Sequence, residues 1–189
     1  MMVFDRIYRT NGWNGTESRS GPGSGSVATR HVASAIAVLA EELRVESVLD
    51  LGCGDGYWMP KLPGYLGVDV SAEAIRHARR NHPDRRYQTT PPLGHFDLVI
   101  SRDAMQHLAL VEADRLLDFA LTAGDWLLAS TYINGANVDI ETGHFYSPDL
   151  TAAPFNLPQP SQLIFDGYSY HDPDLIRDPG KHLGLWDLR

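Results

Sequence analysis

The sequence is short of basic charge, of cysteine and of long apolar runs. Its 16 lysines and arginines face 24 aspartates and glutamates, for a formal net charge of −8. A general nucleic-acid binder needs a basic surface to neutralise phosphates, so no nucleic-acid partner is expected. The one basic concentration, Arg76 to Arg86, falls on a helical pattern and its exit and reads as a solvated face. A single cysteine, Cys53, excludes an internal disulfide and a thiolate metal cluster. The histidines are scattered along the chain, and no metal site is expected. No apolar run approaches the length of a membrane span. The first residues, Met1 to Arg6, lack the apolar core of a signal peptide, so a cytoplasmic protein without a membrane partner is expected. At 189 residues one domain is the default, spanning 1–189.

What is present centres on Val48-Leu49-Asp50-Leu51-Gly52-Cys53-Gly54-Asp55-Gly56. An apolar strand runs straight into glycines at every second position, which lets a ligand approach the backbone. The segment from Asp55 is expected to open a short helix whose first N–H groups face that ligand. Apolar runs follow at Tyr65–Val70, ending on Asp69 and Val70, and at Phe96–Ser101, the spacing of alternating strands and helices. A dinucleotide fingerprint needs its third glycine at position 57, where Tyr57 stands, and the third glycine is Gly56 instead. That argues against a nucleotide-dependent oxidoreductase.

The form Asp50-Leu51-Gly52-Cys53-Gly54-Asp55-Gly56 resembles motif I of the class I S-adenosylmethionine-dependent methyltransferases, and the resemblance extends over most of the chain. It implies an α/β, three-layer Rossmann-like methyltransferase fold with a seven-stranded, mostly parallel sheet and an antiparallel last strand. It also implies S-adenosylmethionine as cofactor and S-adenosylhomocysteine as product. The strands are expected at about 47–51, 65–69, 86–88, 96–100, 126–132, 163–166 and 182–188. Helices are expected near 26–43, capped by Ser24 or Ser26, and at 71–81 and 110–122. Carried over from the family, Asp50, Gly52, Cys53 and Gly54 form the cofactor turn, and Asp69, with Val70 beside it, accepts the ribose hydroxyls. Tyr57 and Trp58 wall the methionine part. Gln88 or Thr89 replaces the family's usual acid near the adenine, and Ser101 flanks the methionine. Arg102 and Asp103 structure the pocket.

Two stretches fit regular structure poorly. Residues 11–26 hold five glycines yet also Trp13 and Arg19, and are read as a lid, with Trp13 against the substrate and Arg19 pairing with a carboxylate. Residues 133–160 are broken by glycine and proline and are read as an irregular substrate wall, with Asn137, Asp139, Thr142 and His144 as polar contacts. His107, on the segment after the fourth strand, is the leading general base, with Asp103, Asp139 and His144 in reserve. Were the acceptor an anionic oxygen, Arg19, Arg30 or Arg102 would serve as clamps. The expected reaction is methylation of a small molecule, at oxygen of a sugar, phosphate-bearing or specialised metabolite. An amine acceptor, or a non-catalytic cofactor-binding subunit, is the alternative. Nothing in the sequence sets the oligomeric state.

Overall fold

The computed structural model describes residues 2–189. Seven strands form one sheet: β1 (Val48–Leu51), β2 (Leu66–Val68), β3 (Arg86–Gln88), β4 (Phe96–Ser101), β5 (Gly124–Tyr132), β6 (Gln162–Phe165) and β7 (Lys181–Asp187). Their order is β3-β2-β1-β4-β5-β7-β6, with every pairing parallel except those of β7. The strands therefore switch direction of progression between β1 and β4, where such sheets open a crevice at their C-terminal ends. This is the three-layer Rossmann-like methyltransferase fold, with the antiparallel final strand.

The layers follow from alternation along the central strands. Val48, Leu98, Ile100 and Leu128 face α2 (Ser26–Glu42) and α3 (Ala72–Asn81), meeting Val32, Ile36 and Ile75. Leu49, Leu51, Val99 and Leu127 face the other way, toward Ala113, Leu117 and Ala120 of α4 (Leu110–Thr122). These strands read as unbroken apolar runs because both of their faces are covered. Strand β5 starts two residues earlier than expected, and β6 and β7 one residue earlier.

Two expectations are corrected. No helix follows the glycine turn: Gly52, Gly54 and Gly56 have φ of 78°, 59° and 62°, outside the right-handed helical region. Pro60 and Pro63 then deny the next turns their hydrogen bonds, so Met59, Leu62 and Tyr65 cover the sheet from an irregular segment. Helix α2 is capped neither by Ser24 nor by Ser26. Its N-cap is Gly25, and the Glu17 carboxylate accepts the Ser26 N–H at 2.7 Å and the Ser26 hydroxyl at 2.8 Å. The irregular 133–160 segment also has a structural task, because Leu150 and Phe155 are buried against the α4 face of the sheet. Among the described residues, no helix is long and apolar enough to cross a membrane.

Asp50 lies inside β1 and is buried, with the Tyr65 hydroxyl donating to its Oδ2 at 2.7 Å. Burial raises its pKa to about 7, against the lowering effect of that hydrogen bond. Because the folded value exceeds the unfolded one, this group stabilises the fold fully near pH 4 and progressively less as pH rises through 7. An Asp50→Asn protein, which keeps an acceptor for Tyr65, is therefore expected to exceed the wild type in urea by a small margin at pH 5 and by a larger one at pH 8. A margin of the same size at the two pH values would contradict the assignment.

Candidate functional site

A cavity of about 960 Å³ opens at the C-terminal ends of β1, β2, β4 and β5. Its floor is the glycine turn. The Gly52 and Cys53 N–H groups both donate to the Val68 carbonyl, at 2.8 and 3.0 Å, folding the turn back onto β2. A side chain at Gly52 would overlap the Ala104 methyl group, so bare backbone faces the cavity there. Asp69 stands at the end of β2 beside it. Its Oδ2 accepts the Gly54 N–H at 3.0 Å and its Oδ1 the Ser71 N–H at 2.8 Å, leaving each oxygen further acceptor capacity. Burial raises Asp69 to about 6, although the two backbone donors favour the charged form.

The roof is the N-terminal strap, helix α1 (Val3–Thr10) followed by residues 11–25. Asp55 pins it. Its Oδ1 accepts the Ser18 and Ser20 hydroxyls at 2.8 and 3.1 Å, and its Oδ2 the Arg19 N–H at 2.6 Å. Tyr8 joins through its hydroxyl, 3.0 Å from Ser20 Oγ. Gly54 permits this approach, since a Cβ there would lie 2.7 Å from the Tyr8 oxygen. From the pinned strap Trp13 reaches over the cavity and packs on the His107 ring, centroids 5.1 Å apart.

His107 occupies a single 3-10 turn, Met105–His107, after β4. Its Nδ1 donates to the His144 carbonyl at 2.7 Å, and its other flank packs against Phe145. Burial lowers its pKa, with the His144 hydrogen bond and the Asp103 charge opposing; the net result is a ring held neutral. Beyond it lies a charge cluster. Arg102 forms a two-pronged pair with buried Asp166, at 2.8 and 2.9 Å, and Lys181 bridges Asp103 at 2.7 Å and Asp166 at 3.1 Å. Asp103 has a left-handed backbone, φ 58°, held by its N–H to Ser130 Oγ at 2.9 Å. Burial would raise its pKa, but Lys181 and Arg102 outweigh that and hold it well below the usual carboxylate range. The cluster pairs two cations with two carboxylates. Arg102 is thereby engaged, and its guanidinium also lies over the Trp58 ring.

Gly52, Cys53, Trp58, Asp69, Val70, Arg102, Asp103, His107 and Trp13 all line the cavity, as does Thr142. Asp50, Gly54, Tyr57, Gln88 and Ser101 do not. Gln88 donates to the Thr90 carbonyl, and the Ser101 hydroxyl is buried without a partner. Arg19 contributes its backbone N–H, not its guanidinium, to the carboxylate of Asp55. Asn137 staples its own loop, bonding Asp149 and Ala153 carbonyls at 2.8 Å each. Asp139 caps α4 through the Leu110 N–H at 2.9 Å, and His144 meets His107 through its backbone. Sequence reasoning missed Asp55, Gln106, Tyr132, Asp166 and Lys181. Each acts across a long sequence separation that no local pattern signals. Among the described residues, no group of three His, Cys, Asp or Glu side chains is placed to hold a metal ion.

The sequence model of the methyltransferase-domain family matches residues 26–162. Among solved structures, the N-terminal domain of EvdMO1 with bound S-adenosylhomocysteine is 16% identical, with a TM-score of 0.58 over 100% of this chain and 98% of that one. The DhpI complex with S-adenosylhomocysteine is also 16% identical, with a TM-score of 0.58 over 96% and 93%. Magnesium protoporphyrin IX methyltransferase from Synechocystis PCC 6803 with bound S-adenosylmethionine is 14% identical, with a TM-score of 0.57 over 98% and 84%. No curated protein matches the sequence.

The strap's dependence on one carboxylate is open to measurement. Asp55→Ala removes the acceptor for the three strap donors, a loss of at least about 1.5 kcal/mol for a hydrogen-bonded charge. Amide exchange of residues 11–21 is expected to accelerate by about tenfold or more, with the central strands unaffected. Unchanged exchange there would show that the roof is held by something else.

Proposed function

The chain belongs to the methyltransferase-domain family, and from that premise we propose that it transfers the methyl group of S-adenosylmethionine to an oxygen of a small molecule. The observation that carries the reading is the pairing of the bare Gly52 turn with the Asp69 carboxylate on the floor of one covered cavity. A carboxylate with spare acceptor capacity on both oxygens suits the two neighbouring hydroxyls of a ribose. The backbone beside it leaves room for a ligand's close approach. At about 960 Å³ the cavity sits at the upper end of the range for small-ligand sites, which suits a cofactor and an acceptor together. The similar structures with bound S-adenosylhomocysteine or S-adenosylmethionine support the same cofactor.

When bound, S-adenosylmethionine supplies a methyl group already activated by its sulfonium. The chain's task is then orientation and one proton. The strap and its Trp13 exclude water from above, while Phe145 closes one side. His107, neutral near pH 7, accepts the proton that an acceptor hydroxyl loses as it attacks. Asp103, held ionised by Lys181 and Arg102, favours the imidazolium that results. The acidic net charge and the enclosed cavity favour a small acceptor over a polymer. The paired state of Arg102 and Lys181 favours a neutral hydroxyl over a phosphate as the reacting group.

Two outcomes are expected. Asp69 must be ionised to accept both hydroxyls, so affinity for S-adenosylhomocysteine is full above about pH 6 and falls as pH drops through that value. Asp69→Asn is expected to bind about 100-fold more weakly, as two charge-assisted hydrogen bonds of about 1.5 kcal/mol each are lost, and to show no such pH dependence. Calorimetry across pH 5 to 8 measures both. His107→Ala should lower kcat on a hydroxyl acceptor by about 10²- to 10⁴-fold while leaving S-adenosylhomocysteine affinity unchanged. Full activity in that variant would remove His107 from the mechanism.

A further inference from the structure

Two polar groups meet the His107 ring, one at each nitrogen, and only one of those nitrogens is left to do chemistry. A carbonyl oxygen can only accept, so the 2.7 Å contact with the His144 carbonyl puts the ring proton on Nδ1. The other nitrogen, Nε2, then carries the lone pair, and it meets Gln106 Nε2 at 3.4 Å. The Gln106 amide is not free to turn. The Tyr132 hydroxyl, buried at the end of β5, donates to Gln106 Oε1 at 3.0 Å, which points the amide nitrogen at the imidazole. Burial pushes the Tyr132 hydroxyl far above its ordinary pKa, so it remains a donor. The backbone locks the same parts together: the Gly143 N–H donates to the His107 carbonyl at 2.7 Å and the Tyr146 N–H to the Gln106 carbonyl at 3.1 Å.

We propose that Gln106, oriented by Tyr132, is a positioning residue that fixes His107 as its Nδ1–H tautomer and presents the Nε2 lone pair as the proton acceptor. The proposal rests on His107 being the base of the reaction above. A protonated ring would set its Nε2–H against the N–H groups of Gln106, so the amide disfavours the imidazolium and favours return of the proton to solvent. The long 3.4 Å hydrogen bond is weak enough for an acceptor hydroxyl to replace it. The charged groups acting on the ring are Asp103, after β4, which favours the imidazolium, and Lys181 of β7, which opposes it. Glu112 and Arg115 of α4 share the cavity wall, and the Glu112 carboxylate accepts the Thr142 hydroxyl. The strap sets Trp13 against the ring, and the loop before Tyr146 sets Phe145 and the His144 carbonyl against it.

The test is ¹⁵N NMR of the imidazole rings in the full chain, with His107 assigned by loss of its signals in His107→Gln. The wild type is expected to show the Nδ1–H tautomer at pH 8. In Gln106→Glu a carboxylate oxygen replaces the amide nitrogen and accepts from Nε2–H. The His107 titration midpoint should rise by about one pH unit or more, tenfold in proton affinity. Tyr132→Phe, which only deletes a hydroxyl, should shift it part of the way in the same direction and serves if the Gln106 variant does not fold. The acidic limb of the kcat profile should move with the midpoint, which a merely structural role would not cause. An Nε2–H tautomer in the wild type, or a midpoint unmoved in both variants, would overturn the proposal. The ring signals need no methyl acceptor. A protein that shows these shifts but transfers no methyl group would contradict the function and leave the tautomer assignment standing.

Discussion

The structure depends on a backbone constraint five residues long. After β1 the chain takes left-handed conformations at Gly52, Gly54 and Gly56, and no helix can begin there. Two consequences follow. The turn folds back on the Val68 carbonyl, which brings bare backbone beside Asp69. The Asp55 carboxylate, which would otherwise sit in a helix's first turn, stands free to hold the N-terminal strap through Ser18, Arg19 and Ser20. The same five residues thus form the glycine floor and anchor the roof. A change that closed the turn would disturb both at once.

Electrostatics divides the cavity into two regions. At the cofactor floor, burial raises Asp69 and leaves its carboxylate incompletely satisfied, a state that favours hydroxyl donors. At the far end the opposite holds. Arg102, Asp103, Asp166 and Lys181 satisfy one another within about 3 Å, so that wall is rigid and close to neutral. His107 lies between the two, neutral and packed between Trp13 and Phe145, with the strained backbone of Asp103 nearby. Strain of this kind persists where neighbouring contacts over-determine it, as Ser130 and Lys181 do here.

Much of the fold was legible in the sequence, for a physical reason. Strands covered on both faces read as continuous apolar runs, which makes β1, β4 and β5 visible, and an acid closing the second run marks Asp69. The helix expected after the turn was misread because glycine spacing was taken as a helix start, whereas three left-handed residues forbid one. The polar residues of 133–160 show a second limit. Asn137 and Asp139 look like ligand contacts in one dimension, yet they satisfy the loop's own backbone and the start of α4. A loop without secondary structure must find partners for its polar groups, and its own side chains are the nearest supply. Arg102 and Asp166, and equally Gln106 and Tyr132, meet only through the tertiary fold, so no spacing rule reveals them.

The central claim is that the glycine turn and Asp69 form a floor for S-adenosylmethionine and not for a dinucleotide. Titration calorimetry of the full chain with S-adenosylhomocysteine and, separately, with NAD tests it most directly. Saturable binding of S-adenosylhomocysteine with one site per chain, and none of NAD, is the predicted result. Binding of NAD alone would contradict the account.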